Sequence, residues 1–103
     1  MKYRVLTRQR AKADVRKAAR WYELQRLGLG REFIAEVDAA LDRVAENPFQ
    51  YQVLHREARR AIVQRFPYGA FYRIEENEII VFCVIDLRRD PASWKARIPM
   101  TGR

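Results

Sequence analysis

Acid–base or nucleophilic chemistry needs a titratable or activatable side chain held against an orienting partner, and this 103-residue chain offers few. It has one histidine, His55, one serine, Ser93, and one cysteine, Cys83. A Ser–His–Asp relay would need Ser93, His55 and an aspartate from elsewhere, and nothing in the local wording favours it. A loop histidine and a turn serine are the preferred readings. A lone cysteine and a lone histidine cannot make a zinc cluster, so no catalytic residue, metal or small-molecule cofactor is expected. Gly28 and Gly30 lack the glycine series of a phosphate-binding loop. Cys83 lies inside the apolar run Ile79 to Ile85, where it reads as a small buried hydrophobe.

What remains is cationic. Arg60, Arg65 and Arg73, with Arg88 and Arg89, lie near the predicted sheet and form a set able to stabilise phosphate charge. A second set, Arg88, Arg89, Trp94 and Arg97, joins guanidinium forks to an exposed aromatic and is expected to face a macromolecular target. The competing structural reading has Arg88 or Arg89 bridging to Asp86 or Asp90 while Trp94 caps the edge of the core. A third set is Trp21 and Tyr22 with Arg16 and Arg20, expected to hold a partner segment. Tyr22 fits the core stripe of its helix and Trp21 does not, which makes Trp21 either a groove aromatic or a residue packed under the Asn47 to Leu54 loop. The outer positions Arg8, Arg10, Lys12, Arg16, Lys17 and Arg20 read first as a solvated face, although an acidic partner would be drawn to them.

The elements that must carry these side chains follow from periodicity. Lys2 to Thr7 alternates as a short strand. From Arg8 to Leu27, Ala11, Val15, Ala18 and Tyr22 recur at helical spacing. Gly28-Leu29-Gly30 turns the chain into a second helix with the stripe Phe33, Val37, Leu41 and Val44, closed by Asn47-Pro48. So short a turn makes the helices antiparallel. Phe49 to Glu57 reads as a loop. Three strands follow: Ala58 to Phe66, Tyr68 to Ile74, and Ile79 to Leu87, the last apolar on both sides and therefore flanked by neighbours. Glu75-Glu76-Asn77-Glu78 is short enough for a hairpin loop. Counting a reversal at each connection, the first strand should run antiparallel to the second and fourth and parallel to the third. The expected class is α+β, an antiparallel helical hairpin on one face of a four-stranded sheet. Residues 1–103 make one domain, ending in a basic tail over 88–103.

The net charge is +8, with a pI near 10.2. Residues Met1 to Gly30 carry nine basic and two acidic side chains, whereas Arg31 to His55 carries two basic and five acidic. The excess favours acidic partners such as nucleic acid, a ribosome or an acidic protein segment, without choosing among them. No window approaches the roughly 20 apolar residues of a membrane span, and the first residues lack a secretory pattern. A cytoplasmic protein is expected.

Several short motifs occur together: Trp21-Tyr22-Glu23, Gly28-Leu29-Gly30-Arg31-Glu32-Phe33, Asn47-Pro48, Arg65-Phe66-Pro67-Tyr68, Tyr72-Arg73-Ile74, and Arg88-Arg89-Asp90-Pro91 with Trp94 and Arg97. In this order the chain resembles the RelE/ParE toxin superfamily of type II toxin–antitoxin systems, and its ParE branch more than its RelE branch. The resemblance implies a toxin neutralised by a ParD-like antitoxin whose flexible C-terminal segment wraps it, in part through Trp21, Tyr22, Arg16 and Arg20. It implies DNA gyrase as the target and growth arrest by binding. The RelE branch instead cleaves messenger RNA on the ribosome. Laid on that pattern, the position of a catalytic arginine falls on Gly69, and the C-terminal tyrosine is replaced near Trp94, which has no hydroxyl. A third possibility is a non-toxic basic module whose nucleic-acid affinity falls steeply with salt.

Overall fold

The computed structural model describes residues 2–100. The chain runs β1 (Arg4–Thr7), α1 (Gln9–Gln25), α2 (Leu29–Glu46), a single 3-10 turn (Pro48–Gln50), β2 (Val53–His55), β3 (Ala58–Val63), β4 (Tyr68–Glu75), β5 (Glu78–Asp86) and α3 (Ala92–Lys95). The α+β class and the helical hairpin match expectation. The sheet has five strands, one more than expected, in the order β1-β5-β4-β3-β2.

The extra strand, β2, lies in the segment read as a loop. It pairs with β3 through Val53↔Arg59 and His55↔Ala58. The two-residue connection is Arg56-Glu57, both with positive φ, 48° and 64°. Such a turn ordinarily announces itself by glycine or asparagine, and here it has neither.

The expected strand directions are corrected. β1 runs parallel to β5, with Arg4↔Glu78 and Thr7↔Val81, while β5, β4, β3 and β2 alternate as antiparallel neighbours. The reason lies at Arg8, the only residue between β1 and α1, which is too short a link to reverse the chain. Arg8 N–H donates to the Val81 carbonyl at 3.0 Å, Asp14 reaches Val84, and Tyr22 reaches Tyr68, the partner of Asp86. Helix α1 therefore continues in the direction of β1, along β5. The reversals come instead at the Gly28 turn and at Arg56-Glu57.

Small side chains let the helices approach. Ala11, Ala18 and Ala19 of α1 and Phe33, Val37 and Val44 of α2 close on Ala61, Val63, Ala70, Tyr72, Ile79 and Val81 of the sheet. Tyr72 is fully buried, and its hydroxyl donates to the Pro48 carbonyl at 2.6 Å; burial pushes its pKa up to about 12. At the hairpin tip Gly28 takes φ 89°. The Glu23 carboxylate accepts the N–H groups of Gly28 at 2.9 Å and Gly30 at 3.0 Å, and those two bonds hold it below the usual carboxylate range. A Cβ on Gly30 would lie 2.5 Å from the Ala19 carbonyl oxygen. Because that obstacle is backbone, Gly30→Ala should lower stability by about 1–3 kcal/mol through overpacking, measured by thermal melting; an unchanged melting temperature would contradict the close approach.

The opposite sheet face has its own core. Between Phe71↔Cys83 and Tyr72↔Val81 the ladder skips Phe82, and this bulge turns both Phe82 and Cys83 to that side. They join Ala58, Phe71, Ile80 and Ile85 beneath Trp94 and Ile98. The expectation of an exposed aromatic in a polar tail is therefore corrected: Trp94 is 8% exposed, Ile98 is 1% exposed, and Trp94 stacks on Phe71 with centroids 4.5 Å apart and planes at 19°. Arg56 donates to the Ile98 carbonyl and Arg73 to that of Pro99. Residues 91–100 are a cover, and two buried side chains suffice to seat it.

Burial beneath that cover pushes the Cys83 thiol up to about 12. Only the thiolate alkylates, so Cys83 should resist iodoacetamide in the native chain and react in denaturant, with a rate ratio of at least about a thousandfold, the lower end of folding equilibrium constants for small domains. Equal rates would show that the cover is open.

Candidate protein-binding groove

Among the described residues no strand lies beside the edge of β5 beyond Val81, because β1 ends at Thr7. Two side chains take over its hydrogen bonds. The Asp14 carboxylate accepts the Val84 N–H at 2.9 Å, and Arg97 donates to the Phe82 carbonyl at 3.4 Å. The two also pair with each other, Nη1 to Oδ1 at 3.2 Å and Nη2 to Oδ2 at 3.0 Å. That pair ties the C-terminal segment to α1 across the bare strand edge.

Above the edge lies an open groove of about 580 Å³. Asp14, Lys17, Ala18 and Trp21 of α1 form one wall, Tyr22, Tyr68, Val84, Ile85 and Asp86 the floor, and Arg88, Arg89, Ser93 and Arg97 the other wall. Trp21, Tyr22 and Arg88 also line a shallower depression that continues over Leu29, Arg65, Phe66 and Pro67. Trp21 stands where the two meet.

The floor is aromatic and rigid. Tyr22 is buried among Phe33, Phe66 and Tyr68, at centroid distances of 5.3, 4.8 and 6.1 Å. Burial raises the pKa values of both Tyr22 and Tyr68, so their hydroxyls remain neutral. Trp21 packs edge-on against Tyr22 at 5.1 Å yet stays 56% exposed.

The expected target-facing set separates by role. Trp94 is buried under the second face, and Arg97 is the brace just described. Arg88 is held by Asp86 through a fork, Nε to Oδ1 at 3.0 Å and Nη2 to Oδ2 at 2.7 Å; the same contact lowers the pKa of Asp86 and raises that of Arg88. This matches the competing reading of Arg88. Arg89 is exposed, and among the described residues it pairs with no carboxylate. The set expected to hold a partner divides likewise: Trp21 and Tyr22 line the groove, whereas Arg16 and Arg20 are exposed on α1 and do not. The structure thus joins Trp21 and Tyr22 to Arg88, Arg89 and Arg97 on one surface, where the sequence suggested two.

Arg60, Arg65 and Arg73 are not brought together. Arg65 reaches Glu32 at 2.7 Å and Glu36 at 3.5 Å on α2, contacts that raise its pKa. Arg73 is 7% exposed under the C-terminal cover, held by Glu75 and the carbonyls of Arg56 and Pro99, with its guanidinium 5.2 Å over Phe82. Arg60 lies with its stem across Gly69. The Ser93 hydroxyl donates to the Asp90 carbonyl at 2.7 Å, and His55 packs edge-on at 6.2 Å from Trp94.

Asp14 escaped the sequence reading, Lys17 was placed with the solvated face of its helix, and Tyr68 was noted only within the Arg65-Phe66-Pro67-Tyr68 motif. Asp14 had a signal, since it is the one acid among six cations from Arg8 to Arg20. Such an isolated carboxylate invites the question of which cation it serves.

No curated protein matches the chain. Among solved structures it is similar to a chain of the chromosomal ParDE toxin–antitoxin system of P. aeruginosa, with a TM-score of 0.72 and 13% identity, covering 82% of this chain and 96% of that one. It is also similar to a chain of the RelBE2 toxin–antitoxin complex of Mycobacterium tuberculosis, with a TM-score of 0.61 and 21% identity, covering 84% and 99%. At such identities the likeness is one of fold. A family model described as the ParE toxin of the type II toxin–antitoxin system parDE matches residues 5–91, from β1 through the groove's Arg88 and Arg89. The chain belongs to the ParE toxin family of type II toxin–antitoxin systems.

Proposed function

We propose that the groove between α1 and the C-terminal segment is where this toxin meets its protein partners: the flexible C-terminal segment of a ParD-like antitoxin while it is neutralised, and DNA gyrase in the cytoplasm once it is free. Inhibition is by binding, without bond chemistry. The observation that carries the reading is Trp21, a half-exposed aromatic above a rigid floor of Tyr22 and Tyr68, with Lys17 and Arg89 at the rim. An exposed aromatic anchor in a preformed pocket with a charged rim is the anatomy of a binding hot spot. An acidic segment would find both its apolar and its charged contacts there. The antitoxin is favoured as occupant by the similar solved chains, which come from toxin–antitoxin systems.

The placement of the sheet arginines supports a non-enzymatic action. Phosphate chemistry needs cations converging on one position, and Arg65 faces α2 while Arg73 lies under the cover. The purified chain should abolish gyrase supercoiling in vitro, with the antitoxin restoring it, and should leave message on translating ribosomes intact. Cleavage of ribosome-bound message with gyrase unaffected would replace this reading with the nuclease one.

A further inference from the structure

We infer that the outer face of α1, through Lys12, Arg16 and Arg20, is a contact for the phosphate backbone of duplex nucleic acid. It is separate from the groove. Elsewhere Arg65, Arg73, Arg88 and Arg97 are engaged by carboxylates. Among the described residues, Lys12, Arg16 and Arg20 pair with none, and all three are exposed.

Lys12 sits against the dipole of the helix that carries it, and all three cations crowd one another. The N-terminal end of a helix is the positive pole of its macrodipole, where acids stabilise and cations do not. Helix α1 has no acidic side chain in its first turn and no basic one in its last. Lys12, Arg16 and Arg20 also follow one another at four-residue spacing, so each repels the next. A face whose three cations repel one another in the free chain is relieved by an anion that spans it.

The chemistry of the face selects the kind of anion. Gln9 precedes the cations and Ala13 lies beside them, and the aromatic residues of α1, Trp21 and Tyr22, line the groove. A protein partner would need a desolvated apolar centre, and a single strand would need a platform on which to stack bases. This face has neither. A duplex hides its bases and presents phosphates alone. At 1.5 Å per residue, Lys12 and Arg20 are about 12 Å apart along the helix, which spans three to four steps of about 3.4 Å on one strand. A toxin bound by its groove could thus lie against DNA at the same time.

The test is a titration of a short mixed-sequence duplex with the purified chain over a range of salt, followed by fluorescence anisotropy. Three phosphate contacts predict that the slope of log affinity against log salt flattens by about 2 to 3 in the triple variant K12Q/R16Q/R20Q. Affinity at low salt should fall about tenfold or more. The variant should melt no lower than the parent, since it loses only repulsion. Trp21→Ala, which alters the groove, should leave duplex binding within about twofold while weakening the antitoxin complex, so failure here and failure of the groove reading are distinguishable. The inference is overturned if the parent chain does not bind duplex, if the triple variant keeps both slope and affinity, or if the triple variant instead loses the antitoxin or anionic vesicles and keeps the duplex.

Discussion

Replacing Trp94 with alanine should destabilise the chain by about 3–5 kcal/mol, the range for deleting a large buried aromatic. The indole stacks on Phe71 and closes the second core above Phe82 and Cys83. Its loss leaves Ile98 as the other large side chain of the cover on that face. A small domain has about 5–15 kcal/mol of stability in all, so the variant should lose at least about a fifth of its margin and melt at least about 12 °C lower, taking 4 °C per kcal/mol. Trp94→Phe keeps the stack and should recover more than half of the loss. Circular dichroism melting of the three proteins decides it. A melting temperature unchanged in Trp94→Ala would mean that the cover contributes nothing and that Trp94 is free for a partner after all.

That outcome bears on how far the sequence could be read. Helices α1 and α2 were legible because each repeats its apolar stripe over several turns, and the pattern survives a misplaced residue. The C-terminal cover was not. Trp94 and Ile98 are four residues apart, one helical step, and two buried residues in a polar segment make no periodicity. Composition then pointed to a basic tail, although Arg97 is turned inward to Asp14. The bulge at Phe82 was equally silent, because an apolar run reads the same with or without a skipped residue.

Strand β2 and the strand directions were missed for a related reason. Arg56 and Glu57 adopt left-handed conformations that their types do not advertise, so the hairpin they make had no signal. The direct passage from Thr7 through Arg8 into α1 was, by contrast, visible, since no turn residue separates strand from helix. It denied the first reversal. The groove depended on that direction: only when α1 runs along β5 do Trp21 and Arg89, far apart in the chain, line the same surface. Each residue was recognisable as a contact, but their union was a property of topology.

Trp21→Ala should then have the opposite profile to Trp94→Ala. Its indole is more than half exposed, and its main native contact is the edge of Tyr22, worth about 0.5–1.5 kcal/mol, so melting should shift little. On the groove reading it is the anchor of the interface, and anchors of this kind cost about 2 kcal/mol or more when truncated, which is a rise in Kd of about 30-fold at 1.4 kcal/mol per decade. Isothermal titration against a synthetic C-terminal segment of the antitoxin would read it. The loss should appear mainly in the dissociation rate, because truncating an apolar anchor does not alter long-range attraction. Arg89→Gln removes a rim charge instead and should slow association and flatten its salt dependence with a smaller change in Kd. Should Trp21→Ala bind the segment within about twofold of the parent while Arg89→Gln also does, the partner must seat elsewhere. The groove would then be an incidental gap left where β1 stops short of the end of β5.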